Sequence, residues 1–372
     1  MPEQLSPELQ ELAAKADAFA RTVLLPLDEK FPRRSGNERA ARAEVVIESR
    51  AAGLFGLTQP EDFGGQAAGP LAQVVAREAI AAHNPRWLSA VFGPRPGVLA
   101  KACNELRESH LLPMMRGQKL GSFGFTEPGD AAHYTHAAFV GNQLSVTGRK
   151  SYVTRGVEAD FVNVLADIED RGRAFVVVDT ALPGVNHERL FGTIDGTQHA
   201  AFHFDNVVVP STHLVGEPGV GMREAMRQIG HTRLLFAAEA SGLCMWTVNH
   251  VDARLRTVEA RRGVSDVARL RYGELRILSY AVRATLYRAA RRAQSGQNAI
   301  NEMIAAKAFA TETLGQLVDA AMQLVGGSAL IDAHPLAILY NEARVLRVSE
   351  GLTDVLRANI ARGALELGKG TL

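Results

Sequence analysis

The feature that most constrains the fold is a series of short β-rich segments with no helical pattern between them. These segments lie between residues 119 and 210, are rich in β-branched and aromatic residues, and are separated by turn residues such as Gly141-Asn142 and Gly156. They read LGSFGFTE, AAFVGNQLSVTG, KSYVTRG, FVNVLAD, RAFVVVD and AAFHFDNVVV. Such segments predict one antiparallel sheet. A doubly wound α/β fold is disfavoured, because it places a helix between successive strands.

Helical patterns flank this β unit on both sides. Before it, GPLAQVVAREAIAAH and PGVLAKACNELRESHLLPMM carry apolar residues at i, i+3 and i+4. After GEPGVG at 216–221 the pattern is helical again, and it includes the long segment INEMIAAKAFATETLGQLVDAAMQLVGG. The order is therefore helices, a small β unit and helices, which predicts the α+β class.

Composition and charge narrow the classes of function. The chain has 372 residues, of which 47% are hydrophobic, so it can bury a sizeable core. A formal net charge of +1 does not indicate nucleic acid or an anionic membrane as a partner. Cys103 and Cys244 lie far apart without CxxC or Cys/His spacing, which predicts neither a disulfide framework nor a metal site. No signal-peptide pattern or bilayer-spanning apolar window is found, so a cytoplasmic location is expected.

Near the C-terminus, the segment RVLRVSEGLTDVLR places Glu350 between a serine and a glycine. The apolar residues that follow recur at helical spacing, so one interpretation is an acid near a helix N-terminus, where acids are favoured. The other interpretation is a catalytic base, which a glycine beside it would allow a ligand to approach closely. The segment alone leaves both interpretations open.

Six segments, in the same order and over nearly the whole chain, together resemble the acyl-CoA dehydrogenase family. They are GLFGLTQPEDFGG (53–65), FGFTEPGD (123–130), GRKSYVTRGVEAD (148–160), FDNVVVPSTHLVGEPGVGM (204–222), QLVGG (323–327) and YNEARVLRVSEG (340–351). The resemblance implies an acyl-CoA dehydrogenase-like α+β fold. Its parts are an N-terminal helical domain (1–117), a central antiparallel β-barrel-like domain (118–217) and a C-terminal four-helix bundle (218–372). It also implies bound FAD, at sites that straddle the interfaces of a homodimer or homotetramer.

The resemblance changes the interpretation of Glu350, because RVSEG lies where the family has its catalytic base. The implied reaction is the α,β-desaturation of an acyl thioester, in which Glu350 takes the α proton and the β hydrogen leaves as hydride to flavin N5. The main-chain N–H of this glutamate is expected to bind the thioester carbonyl. Arg233 in HTRLLFAAEASG matches a family arginine near the catalytic carboxylate. Thr232 stands at an alternative base position, where a threonine cannot act as the base.

Further residues match family positions that contact FAD. Thr126 in FTEP matches a threonine at the pyrimidine edge of the flavin. Tyr152 matches an aromatic ring that packs on the isoalloxazine, and Thr154 matches a hydroxyl near flavin N5. The alternative for all three is a role as ordinary aromatic and strand residues. QLVGG matches a motif that lets a neighbouring subunit approach the adenosine portion of FAD, through Gln323, Gly326 and Gly327.

Two motifs of the family are altered in this chain. The family's TEPGAGSD is TEPGDAAH here, so Ala132 replaces the serine that usually contacts the CoA phosphate region. The RxxFG motif, which places an arginine on the FAD pyrophosphate, is missing from the corresponding residues 253–267. Phosphates need cationic or N–H partners. Either another polypeptide supplies the arginine, or local ones replace it: Arg254, Arg256, Arg261 or Arg262.

The leading hypothesis is an FAD-dependent acyl-CoA dehydrogenase that acts on an acyl-CoA or acyl-carrier-protein thioester. Electrons are then expected to pass to an electron-transferring flavoprotein. One alternative is a flavin oxidase or monooxygenase on the same fold, which Glu350 disfavours because such relatives generally lack it. The other is a degenerate subunit of a heteromeric acyl-CoA dehydrogenase that completes the FAD site of a related chain. No nucleic-acid or membrane partner is expected.

Overall fold

The computed structural model describes residues 4–32, 36–169, 171–366, 368 and 372, without the side chains of Arg227 and Arg262. The predicted order of helices, a β unit and helices is confirmed. Before the strands lie α1 (Pro7–Phe19), α2 (Leu25–Lys30), α3 (Glu38–Ala51), α4 (Pro70–Ala81), α5 (Leu88–Val91), α6 (Asn104–Leu106) and α7 (Leu112–Met115). After them lie α8 (Gly221–Arg262), α9 (Asp266–Gln294), α10 (Ile300–Val325), α11 (Pro335–Leu346) and α12 (Thr353–Leu365). None of the described helices is long and apolar enough to cross a membrane.

The strands between these helices form one sheet. They are β1 (Gly121–Gly124), β2 (His136–Val140), β3 (Gln143–Thr154), β4 (Phe161–Ile168), β5 (Arg173–Asp179), β6 (Val185–Gly192), β7 (Gln198–Pro210) and β8 (Leu214–Val215). The order is β6-β7-β3-β2-β4-β5-β8, with β1 paired to β4. The long strand β3 pairs antiparallel with β2 on one side and with β7 on the other.

The sheet is mixed, which differs from the purely antiparallel sheet that the sequence predicts. Among the described strands, β1 and β2 each pair with β4 in parallel, and the remaining pairings are antiparallel. Parallel neighbours need a long connection, whereas a hairpin needs only a short turn. The loop after β1 and the β2–β3 hairpin together supply that connection, so the chain returns beside β1 in the same direction.

The described residues form two compact units. The helical unit comprises the chain up to Leu57, Ala68–Phe92 and the chain from Gly230 onward. The sheet unit comprises Thr58–Ala67 and Gly93–Ile229. Helices from both ends of the sequence therefore belong to one unit. The division into three domains at residues 117 and 217 stays a prediction.

Each unit is built on its own apolar core. In the helical unit, one cluster joins helices from both ends of the chain, with buried members that include Leu24, Ile80, Leu286, Leu314 and Leu339. In the sheet unit, β4 and β5 are buried along nearly their whole length. Strands that are covered on both faces read as continuous apolar runs, which explains FVNVLAD and RAFVVVD. Both cores provide the rigid support for the site residues described next.

Candidate active site

The turn that carries Glu350 lies between two helices of the helical unit. α11 ends at Leu346 and α12 begins at Thr353, with Leu352 as its N-cap. Glu350 has φ 57° and Gly351 has φ 115°. A glutamate in the left-handed region is uncommon and costs on the order of 1–3 kcal/mol. Glu350 therefore precedes the N-cap and is not a helix-start acid, and its conformation needs support from the surrounding contacts.

Two cationic side chains bind main-chain oxygens of this turn. Arg233 on α8 donates from Nε to Glu350 O at 3.1 Å. Lys307 on α10 donates from Nζ to Gly351 O at 2.9 Å and to Arg347 O at 3.3 Å. Consecutive carbonyl oxygens are thus bound from two different helices. The structure brings Arg233 and Glu350 together, as the sequence resemblance implies.

The charges around Glu350 suit a group that transfers protons. Burial raises the pKa of the half-buried Glu350 above the ordinary glutamate value, while the charges of Arg233 and Lys307 oppose that rise. Burial also lowers the pKa of Arg233, and it lowers the pKa of Lys307 to about 8. A partly desolvated carboxylate beside fixed cations is the environment in which a glutamate can act as a base near neutral pH.

Lys307 is a residue that the sequence reasoning missed. It lies in the apolar segment IAAKAFA of α10, and its side chain is fully buried. Lysine is rarely buried to this extent unless it is paired, so a lysine inside an apolar helical pattern was a usable signal. Its partners, however, lie 40 and 44 residues further along the chain. No local pattern predicts contacts over that distance.

Thr126, Tyr152 and Thr154 come together in the sheet unit. The Ser151 main-chain N–H donates to Thr126 O at 3.0 Å, which places the FTEP segment beside the end of β3. Tyr152 and Thr154 are exposed residues of β3, with a buried valine between them. Tyr152 has φ 55° at an irregularity of the β3–β7 pairing, is 64% exposed, and meets the Phe191 ring edge-on at 5.5 Å. We call the exposed residues Thr126, Tyr152 and Thr154 the Tyr152 face. They offer a flat aromatic ring and the hydroxyl groups of the two threonines.

Beside Thr126, a cavity of about 270 Å³ opens within the sheet unit. Its wall contains an ion pair in which Lys150 Nζ lies 2.9 Å from Glu127 Oε1, and the Lys150 side chain is only 2% exposed. Glu127 Oε1 also accepts the main-chain N–H of Thr135 at 2.7 Å. Burial lowers the pKa of Lys150. Burial acts to raise the pKa of Glu127, but the hydrogen bonds from Lys150 and Thr135 together hold it below the ordinary value.

The QLVGG residues lie elsewhere, at the end of α10. Gln323 is 16 residues beyond Lys307 on this helix, or about 24 Å along its axis. This group is therefore not brought to the Glu350 turn. Gly326 has φ 87° and ψ −161°, a conformation that favours glycine. A Cβ on Gly326 or Gly327 would meet no atom within 4 Å among the described residues, which leaves room for a close approach at both.

The arginines in the region of the altered RxxFG motif lie in the last turns of α8. Arg254, Arg256 and Arg261 are exposed. Arg256 pairs with Asp252 at 2.6 Å, so part of its charge is already neutralised. The side chain of Arg262 lies outside the described residues. Arg254 and Arg261 thus present positive charge at the surface of this helix.

Comparison with known proteins decides the family. The model for the N-terminal domain of acyl-CoA dehydrogenases matches residues 6–118, and the model for their C-terminal domain matches residues 219–365. The chain belongs to the acyl-CoA dehydrogenase family. Members of this family are oxidoreductases that act on CH–CH bonds of acyl-CoA, and the chain is such an enzyme by this membership.

Individual relatives cover nearly the whole chain. The 3-(aryl)acrylate reductase of Clostridium sporogenes is 28% identical over 96% of this chain and 99% of its own length. The mitochondrial short-chain specific acyl-CoA dehydrogenase of Homo sapiens is 25% identical over 92% of this chain and 86% of its own. A solved structure, a probable acyl-CoA dehydrogenase from Mycobacterium abscessus, has a TM-score of 0.84 at 23% identity and covers 96% of this chain and 99% of that chain. The predicted acyl-CoA dehydrogenase-like fold is confirmed.

Proposed function

We propose that this chain is an FAD-dependent dehydrogenase that introduces an α,β double bond into an acyl thioester, with Glu350 as the base. The observation that carries the proposal is the Glu350 turn. Its carboxyl has a pKa raised by burial, and its left-handed backbone is bound by Arg233 and Lys307. Burial strengthens a carboxylate as a base because it disfavours the charged form. The charges of Arg233 and Lys307 oppose that rise and favour the ionised carboxylate, which is the form that accepts a proton.

The proton step follows from the position of Glu350 in the turn. The α C–H bond breaks, its proton passes to a carboxylate oxygen of Glu350, and its electron pair becomes the new π bond as the β hydrogen leaves as hydride. When bound, FAD accepts this hydride. The main-chain N–H of Glu350 binds the thioester carbonyl oxygen and stabilises the charge that develops there. Arg233 and Lys307 hold the backbone that carries both groups, which limits their motion relative to each other.

The exposed groups of the sheet unit fit the cofactor. A flavin ring is flat and aromatic, and Tyr152 offers an exposed ring on which it can pack. The hydroxyls of Thr126 and Thr154 can bind the carbonyl and N–H groups at the flavin edges. The pyrophosphate needs cationic or N–H partners, for which Arg254 and Arg261 are candidates within this chain. The open space at Gly326 and Gly327 supports an approach of the adenosine portion in an assembly.

We further expect electrons to pass from the enzyme to an electron-transferring flavoprotein. A homodimer or homotetramer is the expected assembly, and a heteromer with a related chain that carries the RxxFG motif is the alternative. Expression distinguishes the two assemblies. Stoichiometric FAD in this chain expressed alone contradicts the heteromer, and FAD acquired only on co-expression with a related chain supports it. The cytoplasmic location stays a prediction.

A second candidate is the reverse reaction, the reduction of an α,β-unsaturated acyl group. The observation that favours it is the 28% identity to the clostridial 3-(aryl)acrylate reductase. The same Glu350 would then be protonated and would donate its proton to the α carbon, while reduced FAD, when bound, would supply the hydride that enters at the β carbon. A raised carboxyl pKa suits a proton donor as well as it suits a base.

The test uses the full-length protein purified with FAD and kept anaerobic. Butyryl-CoA and 3-phenylpropionyl-CoA form the saturated thioester panel, chosen from the short-chain and aryl names of the two relatives. Loss of the oxidised flavin absorbance on addition of either thioester supports the dehydrogenase. The unsaturated counterparts, crotonyl-CoA and cinnamoyl-CoA, are then added to chemically reduced protein. Recovery of the absorbance only in that arm supports the reductase, and no change in either arm contradicts both.

A further inference from the structure

Lys307 is a fully buried lysine whose ammonium group binds main-chain oxygens. Nζ donates to Gly351 O at 2.9 Å and to Arg347 O at 3.3 Å. Burial of an ammonium group is unfavourable, and it lowers the pKa of Lys307 to about 8, so the group is still mostly protonated at neutral pH. An apolar side chain could fill this place in α10 without that penalty. Packing alone therefore does not explain the lysine.

We propose that Lys307 is a positioning residue for the dehydrogenation, because its ammonium group fixes the left-handed backbone that carries Glu350. The inference rests on the proposed function, in which Glu350 is the base. A glutamate in this conformation persists only where surrounding contacts hold it. Arg233 binds the Glu350 oxygen from α8, and Lys307 binds the next carbonyl oxygen from α10. Each cation restrains one of two consecutive peptide groups, so loss of Lys307 frees the second of them.

Lys307 also acts on the Glu350 carboxyl through its charge. The two cations that favour the ionised form of Glu350 are Arg233 and Lys307. Without the lysine charge, Arg233 alone opposes the effect of burial, so the pKa of Glu350 rises further. Among the described residues, further charged groups near this turn include Glu312 on α10, paired at 2.6 Å with Arg347 after α11, and the exposed pair Asp354–Arg357 on α12.

Variants of the full-length protein can separate positioning from packing. Lys307→Met removes both charge and donor at similar length, and Lys307→Gln keeps a donor without the charge. The matched control is Thr311→Val, one turn further along α10. Thr311 is also fully buried, but its hydroxyl donates to Lys307 O at 2.9 Å within the helix and not to the turn.

Three readouts are needed, and two do not depend on turnover. Hydrogen exchange of residues 348–353 reports the rigidity of the turn. The titration of Glu350 is followed by ¹³C NMR of glutamate-labelled protein, with Glu350→Gln to assign the signal. The rate of flavin reduction by the thioester panel is measured against pH. In Lys307→Met we expect faster exchange, a Glu350 titration and acidic limb moved to higher pH, and reduction slowed about 10- to 100-fold by misplacement of the base.

Lys307→Gln is expected to share the shift in titration and to show a smaller increase in exchange, whereas Thr311→Val behaves as wild type in all three readouts. Unchanged exchange and titration in the Lys307 variants overturn the inference. If Lys307→Met does not fold, Lys307→Gln decides by the same criteria. If the wild-type protein reduces no flavin with any thioester, the proposed function fails. Exchange and titration still decide in that case whether Lys307 holds the turn.

Discussion

The Glu350 turn and the Tyr152 face differ in how strongly contacts within the chain hold their residues in place. In the helical unit, buried or half-buried charges bind the main chain around Glu350 from α8 and α10. In the sheet unit, the ring of Tyr152 is 64% exposed, and Thr126 and Thr154 are exposed beside it. Contacts within the chain thus organise the turn. The groups of the face instead lie at the surface of the sheet unit, where we propose that the flavin contacts them.

Because of this difference, we expect substitutions in the Glu350 turn and in the Tyr152 face to affect different properties of the enzyme. A group held in a fixed, partly dry environment acts mainly on the rate of the chemical step, because its position and pKa are set in advance. An exposed aromatic or hydroxyl group acts mainly through the affinity and the electronic state of what it binds. Changes at the turn should therefore alter the rate at constant FAD content. Changes at the face should alter FAD binding or the flavin potential.

The largest effect is expected from Glu350→Gln. The amide keeps the shape of the side chain but cannot accept the α proton, so flavin reduction by the thioester panel should fall by about 10²- to 10⁴-fold. FAD content should stay at the wild-type level. Asp354→Asn is the control, since that carboxylate lies four residues away and is 93% exposed. Reduction at the wild-type rate in the Gln variant would show that another group is the base.

Lys150→Met tests whether the sheet unit also depends on a buried charge. Removal of the lysine leaves Glu127 without its ion-pair partner, and breaking a buried pair in this way costs about 3 kcal/mol or more. Urea unfolding should report that loss of stability. Arg149→Met is the matched control on the same strand, because its pairs with Glu188 and Asp130 are more exposed and exposed pairs contribute little to stability. Equal losses of stability in the two variants would show that the sheet unit does not depend more on the buried ion pair than on the exposed one.

Tyr152→Ala should weaken the binding of FAD without changing the stability of the sheet unit. Aromatic packing contributes about 0.5–1.5 kcal/mol beyond area burial, so we expect the Kd for FAD to rise roughly two- to tenfold. Fluorescence titration of the apoprotein measures this Kd. Leu190→Ala, another exposed apolar residue of the sheet unit at 55% exposure, serves as control. The same Kd in the Tyr152 variant and in wild type would show that Tyr152 is an ordinary strand residue without a role in FAD binding.

Thr154→Val is expected to give the smallest effect. The two side chains are nearly isosteric, and a hydrogen bond contributes about 0.5–1.5 kcal/mol net. Hydride transfer should slow by no more than about tenfold, or the flavin potential should shift, with the fold intact. Thr147→Val, seven residues earlier on β3, is the control, because the Thr147 hydroxyl donates to Asn206 at 3.2 Å and lies outside the proposed site. An unchanged rate and potential in the Thr154 variant would argue against contact with the flavin.

Much of the fold could be predicted because its signals are local. The period of apolar residues predicts the helices, and β-branched segments between turn residues predict the strands. The parallel pairing of β1 and β2 with β4 could not be predicted. Alternation within a segment indicates a strand but not its neighbour, and the connection between β1 and β4 includes a whole hairpin. Nor does any local pattern predict that helices from both ends of the chain share one core.

Some residues of the candidate site could likewise be predicted from the sequence, and others could not. Glu350, Arg233 and the residues that we propose to face the flavin stand in short motifs, so a sequence match suffices to propose them. The burial of the two lysines does not follow from such a match, although Lys150 stands in the matched segment GRKSYVTRGVEAD. Lys307 and Lys150 break the rule that lysine lies at the surface, and what stabilises them is a set of oxygens more than 20 residues away in the chain. The left-handed φ of Glu350 does not follow from a local pattern either, and we ascribe it to the contacts that Arg233 and Lys307 make with the turn.

The most direct measurement is the exchange of α hydrogens with solvent, because it follows the proton step without an external electron acceptor. FAD-loaded protein is incubated anaerobically in D₂O with butyryl-CoA or 3-phenylpropionyl-CoA, and deuterium at the α carbon is quantified by mass spectrometry. Wild-type protein is predicted to incorporate deuterium at the α carbon, whereas Glu350→Gln with equal FAD content is predicted to incorporate none above the protein-free rate. Incorporation by the Gln variant at the wild-type rate would contradict the assignment of Glu350 as the base.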